Sequence, residues 1–120
     1  SAPALAQDVL TVVSGTASTE RAPTERFTGA VHVGGWFEAS ALGRTYGATV
    51  TFEPGARTHW HAHPLGQTLV VTAGAGRVQY WGERVERVRP GDVVVVPPGV
   101  KHWHGATPDM PVTHVIAQRQ

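Results

Sequence analysis

Short runs of alternating apolar and polar residues, separated by Gly and Pro, fill the chain from residue 27 onward. Examples are "YGATVTFEPG", "QTLVVTAGAG" and "VVVVPPG". Turn signals that recur about every eight to twelve residues are typical of an all-β barrel or sandwich. No segment has the period of an amphipathic helix. The pattern predicts an irregular or short-strand N-terminal segment (1–26) and one β-barrel domain (27–120).

The alternation also assigns side chains to faces, because successive residues of a strand point to opposite sides. In "THWHAH" it places His59, His61 and His63 on one face. Trp60 and Trp103 are out of phase with the histidines, so we expect them to pack outside the barrel or in a subunit contact. The other in-phase sets are Ala48, Val50 and Phe52; Gln67, Leu69 and Val71; His102 and His104; and Val112, His114, Ile116 and Gln118. With these faces inward, the barrel interior receives polar nitrogen donors from three strands.

Composition narrows the possible partners. The chain has 120 residues, with ten Lys plus Arg against nine Asp plus Glu. This balance gives neither a basic face for nucleic acid nor a patch for a membrane surface. No apolar run reaches the roughly 20 residues that span a bilayer. There is no cysteine, so a bound metal must have nitrogen and oxygen ligands.

The spacing of the seven histidines indicates such a metal. Two imidazoles at i and i+2 of a strand have Cα atoms about 6 to 7 Å apart, so both rings can reach one ion. Neutral imidazole is the commonest metal ligand among side chains. A third imidazole from another strand would leave coordination positions open, which is the mark of a catalytic site.

Two segments resemble the paired motifs of the cupin family. They are "GARTHWHAHPLGQTLVVTAG" (55–74) and "GDVVVVPPGVKHWHGA" (91–106). The resemblance implies a single-domain double-stranded β-helix, or jelly-roll barrel. It also implies that the metal ligands are His61, His63, Gln67 and His102. Gln67 stands where most cupins have Glu, and Ala106 stands where they have Asn.

A longer set of segments, "TFEPGARTHWHAHPLGQTLVVTAGAG", "PGDVVVVPPGVKHWHGA" and "THVIAQ", resembles the small bacterial cupins with manganese-dependent hydroxynitrile lyase activity. This implies reversible cleavage of (R)-cyanohydrins such as mandelonitrile to an aldehyde and HCN. The implied cofactor is Mn(II), with Fe, Ni, Co or Zn as alternatives, and the implied assembly is a homodimer or homotetramer. The partner is then a small-molecule substrate.

The same resemblance suggests roles for the pocket. The substrate hydroxyl would bind the metal, with His114 first and His104 second as the proton acceptor, and with His114 or Gln118 hydrogen-bonding the departing cyanide. The residues expected to shape the substrate pocket are Ala48, Val50, Phe52, His59, Leu69 and Ile116.

The neutral ligand at residue 67 favours Lewis-acid chemistry over redox chemistry. Three imidazoles and an amide leave a dication its full charge, and such an ion acidifies a bound hydroxyl. In quercetinase-type cupin dioxygenases the glutamate is thought to double as a base, which Gln67 cannot do. A metal-dependent dioxygenase and a non-catalytic small-molecule-binding cupin remain the alternatives.

The compartment is expected to be the cytoplasm. The alternative is the periplasm, if the small apolar residues Ser1–Gln7 are the remnant of a signal peptide.

Overall fold

The computed structural model describes residues 10–38 and 44–119. Within them the elements are β1 (Glu20–Arg21), a 3-10 helix (Thr24–Arg26), β2 (Phe27–Thr28), β3 (Val31–Glu38), β4 (Thr45–Phe52), β5 (Arg57–Thr58), β6 (Gln67–Gly74), β7 (Gly76–Tyr80), β8 (Glu86–Val88), β9 (Val93–Val96), β10 (His102–Ala106) and β11 (Val112–Arg119). The segment Ser1–Gln7, on which the periplasmic alternative depends, lies outside the described residues. No helix in the described ranges is long and apolar enough to cross a membrane.

The strands form two antiparallel sheets. One sheet has the order β1-β3-β4-β11-β6-β9 and the other the order β2-β5-β10-β7-β8. The predicted all-β, single-domain fold is confirmed. Strand β1 lies within the predicted N-terminal segment and pairs with β3 through Glu20 and Val33, so this segment contributes to the larger sheet.

The core lies between the sheets and is built from the inward faces that alternation predicts. On β4, Ala48, Val50 and Phe52 are buried. The register places Val112 opposite Phe52 and His114 opposite Val50, so the inward face of β11 continues the same layer. Complete burial of a side chain such as Phe52 contributes about 1.5–3 kcal/mol.

A β-bulge interrupts the pairing of β3 with β4. Gly34 pairs with Thr49 and Phe37 pairs with Gly47, so Gly35 and Trp36 together stand opposite Ala48. Gly35 has a φ of 58°, which favours glycine, and its N–H donates to the carbonyl of Ala17 at 2.8 Å. A bulge re-aims the side chain beside it, and here that side chain is the half-exposed indole of Trp36.

The histidine-rich segment is not the regular strand that its alternation predicts. Strand β5 ends at Thr58, and beyond it only an isolated bridge joins His61 to His102. The chain turns at Pro64, which has no N–H to donate. The carbonyl of His63 accepts hydrogen bonds from Gly66 at 3.0 Å and Gly99 at 2.9 Å. Residues 59–63 therefore lie outside the named strands, and strand alternation does not assign their side chains to faces.

Candidate metal centre and substrate cavity

Five imidazoles cluster at one end of the space between the sheets. The ring centroids of His61 and His63 lie 4.8 Å apart, and those of His61 and His102 lie 4.4 Å apart. On β10, His102 and His104 are nearly parallel at 5.7 Å. His104 continues the cluster to His114 of β11, at 5.0 Å. Three separate segments of the chain thus supply one group of nitrogen donors.

Backbone hydrogen bonds set the tautomers of two of these rings. The Nδ1 atom of His61 lies 2.8 Å from the carbonyl of His59, and Nδ1 of His102 lies 2.9 Å from the carbonyl of Val100. A carbonyl oxygen only accepts, so both Nδ1 atoms carry the proton and donate it. In the neutral rings each Nε2 then keeps a lone pair. Metal-binding imidazoles are commonly held in this way.

Gln67 completes the donor set, and two further residues hold its amide. Its Nε2 donates to Oε1 of Gln118 at 2.8 Å, and Nε2 of Gln118 donates to the hydroxyl of Tyr46 at 2.6 Å. These bonds leave Oε1 of Gln67 facing Nε2 of His102 at 3.4 Å. Two acceptors therefore face each other, and a bound cation can satisfy both.

The remaining donors also fit a metal ion. Ligand atoms of His61, His102 and His104 lie within 4.8 Å of one another. Three buried nitrogens have no hydrogen-bond partner among the described residues, namely His63 Nε2, His104 Nδ1 and His114 Nε2. Imidazole nitrogens with one amide oxygen suit a divalent transition ion. The cluster can therefore hold such an ion.

Burial lowers the pKa of all five imidazoles, because it penalises the charged form. It lowers the pKa of His114 to about 4. The pKa of His63 falls to about 4 through burial first, and then through repulsion from His61 and His102. Burial first, and neighbouring histidines second, hold the pKa of His104 well below its ordinary value. Burial also lowers the pKa of His61 and His102, although a bond to a backbone carbonyl partly offsets it. The cluster is therefore neutral near pH 7.

A cavity of about 530 Å³ opens beside the cluster. Of the residues that the sequence placed in the pocket, Val50, Phe52, His59 and Ile116 line it, as do the predicted site residues His61, His63, Gln67, His104 and Gln118. The structure does not bring Ala48 or Leu69 to the cavity wall, since both are buried in the core. His114 is buried behind the wall, where its ring contacts Phe52 at 5.2 Å.

The prediction that Trp60 and Trp103 both pack away from the site is wrong for Trp60. Trp60 lines the cavity, because the strand ends at Thr58 and the alternation from which its orientation was inferred does not continue beyond it. Its other side contacts Trp81 edge-on at 5.0 Å. Trp103 does not line the cavity. It is buried within the chain, with Arg57 at 4.7 Å from its ring and Nε1 donating to Gln79.

Tyr46 and Trp36 are cavity residues that the sequence reasoning missed. The pair Gly34–Gly35 inside a strand is a signal for a bulge, and it could have indicated that Trp36 is re-aimed. Tyr46 is in phase with Ala48 and Val50 on β4, so extending the same alternation by two residues would have found it.

Comparisons with known proteins agree with this architecture. A family model described as a cupin domain matches residues 48–116. This chain is a cupin. The predicted resemblance is thereby confirmed. A curated relative, the (R)-mandelonitrile lyase of Granulicella tundricola, is 51% identical over 106 residues, which cover 88% of this cupin and 81% of the relative.

Solved structures place the cupin among similar barrels. A cupin-like protein from Thermotoga maritima is 43% identical, with a TM-score of 0.78, and the match covers 87% of this chain and 77% of that one. A cupin 2 conserved barrel domain protein from Rhodopseudomonas palustris has a TM-score of 0.73 at 16% identity, covering 88% and 74%. At that identity the second likeness supports the fold alone.

Proposed function

We propose that this cupin is a metal-dependent hydroxynitrile lyase that cleaves (R)-cyanohydrins, with mandelonitrile as the model substrate. The observation that carries the proposal is the neutral donor set beside the cavity, in which the oxygen of Gln67 and the Nε2 of His102 face each other at 3.4 Å. The name of the Granulicella relative supports the substrate class. Reversal would give the condensation of an aldehyde with HCN.

The residues proposed to hold the ion are His61, His63, Gln67 and His102, and Mn(II) is the ion proposed first. When bound, a divalent ion supplies Lewis-acid polarisation of a substrate oxygen. The uncharged side chain of Gln67 leaves the charge of such an ion undiminished. The hydrogen bond from Gln67 to Gln118 keeps the amide oxygen, and not the amide nitrogen, turned toward His102.

His104 is the imidazole best placed to accept the substrate's hydroxyl proton. It lines the cavity, and its lowered pKa keeps a lone pair available near pH 7. His114, predicted to act first, lies behind it with ring centroids 5.0 Å apart. As the proton moves to His104, the bond between the carbinol carbon and the nitrile carbon breaks. The electron pair of the O–H bond forms the second bond of the aldehyde carbonyl. The pair of the broken C–C bond leaves with cyanide, which takes the proton from the imidazolium and departs as HCN.

Apolar side chains around the cavity would hold the rest of the substrate. Phe52, Val50 and Ile116 form part of the wall, and the indoles of Trp36 and Trp60 also face the cavity. Such a surface suits a phenyl ring, since aromatic pairs stabilise each other beyond their burial. The combination of apolar walls and a few polar groups is typical of small-molecule sites.

The test is release of benzaldehyde from racemic mandelonitrile by protein loaded with Mn(II), under nitrogen and in air. We expect the (R)-enantiomer to be cleaved at the same rate with and without oxygen, as measured by chiral chromatography. A chelator that removes the metal should abolish this cleavage. His61→Ala should lose metal and activity together. His32→Ala is the matched control, because His32 pairs with Glu53 at 3.0 Å on the surface. Full activity in the His61→Ala protein, or cleavage that consumes oxygen, contradicts the proposal.

A further inference from the structure

Two sets of three imidazoles in the cluster share the same two members. The third member of the first set is His63, whose ring centroid lies 4.8 Å from that of His61 and 5.9 Å from that of His102. The third member of the second set is His104, whose ring centroid lies 5.5 Å from that of His61 and 5.7 Å from that of His102. The two sets are about equally compact, although the site proposed above uses only the first.

His104 has the features of a ligand that is not yet used. Its side chain is buried, and its Nδ1 atom has no hydrogen-bond partner among the described residues. Its backbone N–H donates to the hydroxyl of Thr58 at 3.2 Å, which fixes the position of the residue on β10. A buried nitrogen without a hydrogen-bond partner is unfavourable, and a bound cation would satisfy it.

The separation of the donors is close to what one ion needs. Ligand atoms of His61, His102 and His104 lie within 4.8 Å of one another. Two nitrogens bound to one tetrahedral ion, each at about 2.1 Å, are about 3.4 Å apart. A contraction of the widest pair by roughly 1.4 Å therefore completes the set.

We propose that the cluster has two alternative ion positions. The outer position uses His61, His63, Gln67 and His102, and the inner position uses His61, His102 and His104. The inner position offers nitrogen only, which suits Zn(II) or Cu(II), whereas the outer position adds the amide oxygen, and oxygen ligands suit Mn(II). The identity of the ion would then decide which position is occupied.

This inference rests on the ion binding in the proposed function and not on its reaction. It has a consequence for that reaction, because an imidazole bound to an ion cannot also accept the substrate's proton. Zn(II) in the inner position would therefore engage His104, whereas Mn(II) in the outer position would leave it free.

The test compares Zn(II) and Mn(II) affinities of the metal-free protein by competition with a chromophoric chelator. His104→Phe should lower the affinity for Zn(II) at least about tenfold and change the affinity for Mn(II) less than about twofold. His63→Phe should lower the affinity for Mn(II) and leave that for Zn(II) nearly unchanged. His114→Phe is the matched control. His114 and His104 both contact the ring of Phe52, at 5.2 Å and 5.6 Å, but His114 belongs to neither position. His114→Phe should therefore change the affinity for neither Zn(II) nor Mn(II).

A second measurement uses the unaltered protein, so its result does not depend on whether a variant folds. Zn(II) should shift the side-chain ¹⁵N resonances of His104 in NMR spectra, and leave those of His63 nearly unchanged. An unaltered Zn(II) affinity in His104→Phe, an equal loss of both ions, or a Zn(II) shift at His63 alone would overturn the inference. If the unaltered protein bound neither ion, the metal of the proposed function would fail as well. If both ions bound as expected but mandelonitrile stayed intact, the reaction alone would fail.

Discussion

The Nε2 atom of His102 and the Oε1 atom of Gln67 face each other at 3.4 Å as two acceptors. Neither can turn away without breaking another bond, since Nδ1 of His102 donates to Val100 at 2.9 Å and Nε2 of Gln67 donates to Gln118 at 2.8 Å. A buried acceptor without a donor costs about 1–3 kcal/mol. The fold therefore maintains an arrangement that a bound cation or a proton relieves.

The hydroxyl of Tyr46 should control metal affinity without touching the metal. Tyr46→Phe removes the acceptor for Nε2 of Gln118, so the amide of Gln67 loses its support. We expect Mn(II) affinity to fall about 10- to 100-fold, as for other supports of metal ligands. Titration with Mn(II), followed by electron paramagnetic resonance, would measure it.

The control for this variant is the chain's other tyrosine. Tyr80→Phe removes a hydroxyl that donates to the carbonyl of Val95 at 3.4 Å, outside the chain of hydrogen bonds that joins Gln67, Gln118 and Tyr46. It should keep the affinity of the unaltered protein. Equal affinities in both variants would show that the hydrogen bond to Tyr46 does not position Gln67.

A negative charge at residue 67 should raise the affinity for Mn(II) and lower the rate of mandelonitrile cleavage. In Gln67→Glu, Gln118 can reverse its amide, donating to the new carboxylate and accepting from the hydroxyl of Tyr46. Two unit charges 4 Å apart attract by about 4 kcal/mol at an effective dielectric constant of 20, so Mn(II) affinity should rise at least about tenfold. The carboxylate reduces the net charge at the ion, so cleavage of mandelonitrile should slow. A variant with tighter binding and an undiminished turnover number would refute this role for the amide.

Acid should destabilise the metal-free protein through His114. Its pKa is about 4 in the folded protein and about 6.5 in an unfolded chain. As the pH falls from 6.5 to 4, the unfolded state takes up a proton that the folded state does not. The free energy of unfolding therefore falls, by roughly 3 kcal/mol for this residue.

Urea unfolding at pH 7 and pH 4.5 would measure this dependence. His114→Phe keeps a ring against Phe52 but does not titrate, so its stability should fall less between the two pH values. An identical fall in the variant and the unaltered protein would place the effect in other groups.

The two cavity indoles should favour aromatic substrates. An aromatic pair adds about 0.5–1.5 kcal/mol beyond burial, so Trp60→Ala and Trp36→Ala should each raise KM for mandelonitrile by about two- to tenfold. KM for an aliphatic cyanohydrin should change less. Trp81→Ala is the control, because Trp81 contacts Trp60 at 5.0 Å from outside the cavity. An equal rise in KM for both substrates would indicate a general loss of structure.

The sequence predicted best those features that depend on residues close together in the chain, such as which face of a strand a side chain occupies. Alternation on β4 and β11 agrees with the structure, in which Val50 and Phe52 are buried in the core and Ile116 packs against it. Each of the two strands is paired on both sides. The spacing of His61 and His63, together with the resemblance to the cupin motifs that implied His102, predicted a cluster. The structure brings the three rings within 5.9 Å of one another.

Tertiary contacts determined what the sequence could not predict. Alternation failed for Trp60 because the strand ends at Thr58. The segment beyond it is held by long-range bonds such as that from Gly99 to the carbonyl of His63, and Gly99 lies 36 positions further along the chain. The support of Gln67 by Tyr46 depends on the register of β4 with β11, which places Gln118 opposite Tyr46. Neither relation is visible in a local pattern.

The extra residue in β3 links the length of that strand to the size of the cavity. Gly35 and Trp36 together stand opposite Ala48, which has 0% exposure, whereas the indole keeps 53%. Deletion of Gly35 would restore simple pairing, and Trp36 would then face Ala48 directly and enter the barrel. Loss of the one codon for Gly35 would thus narrow the substrate space, and its gain would widen it, while every other side chain is kept. Related sequences could diverge in substrate size through insertions and deletions as readily as through substitutions.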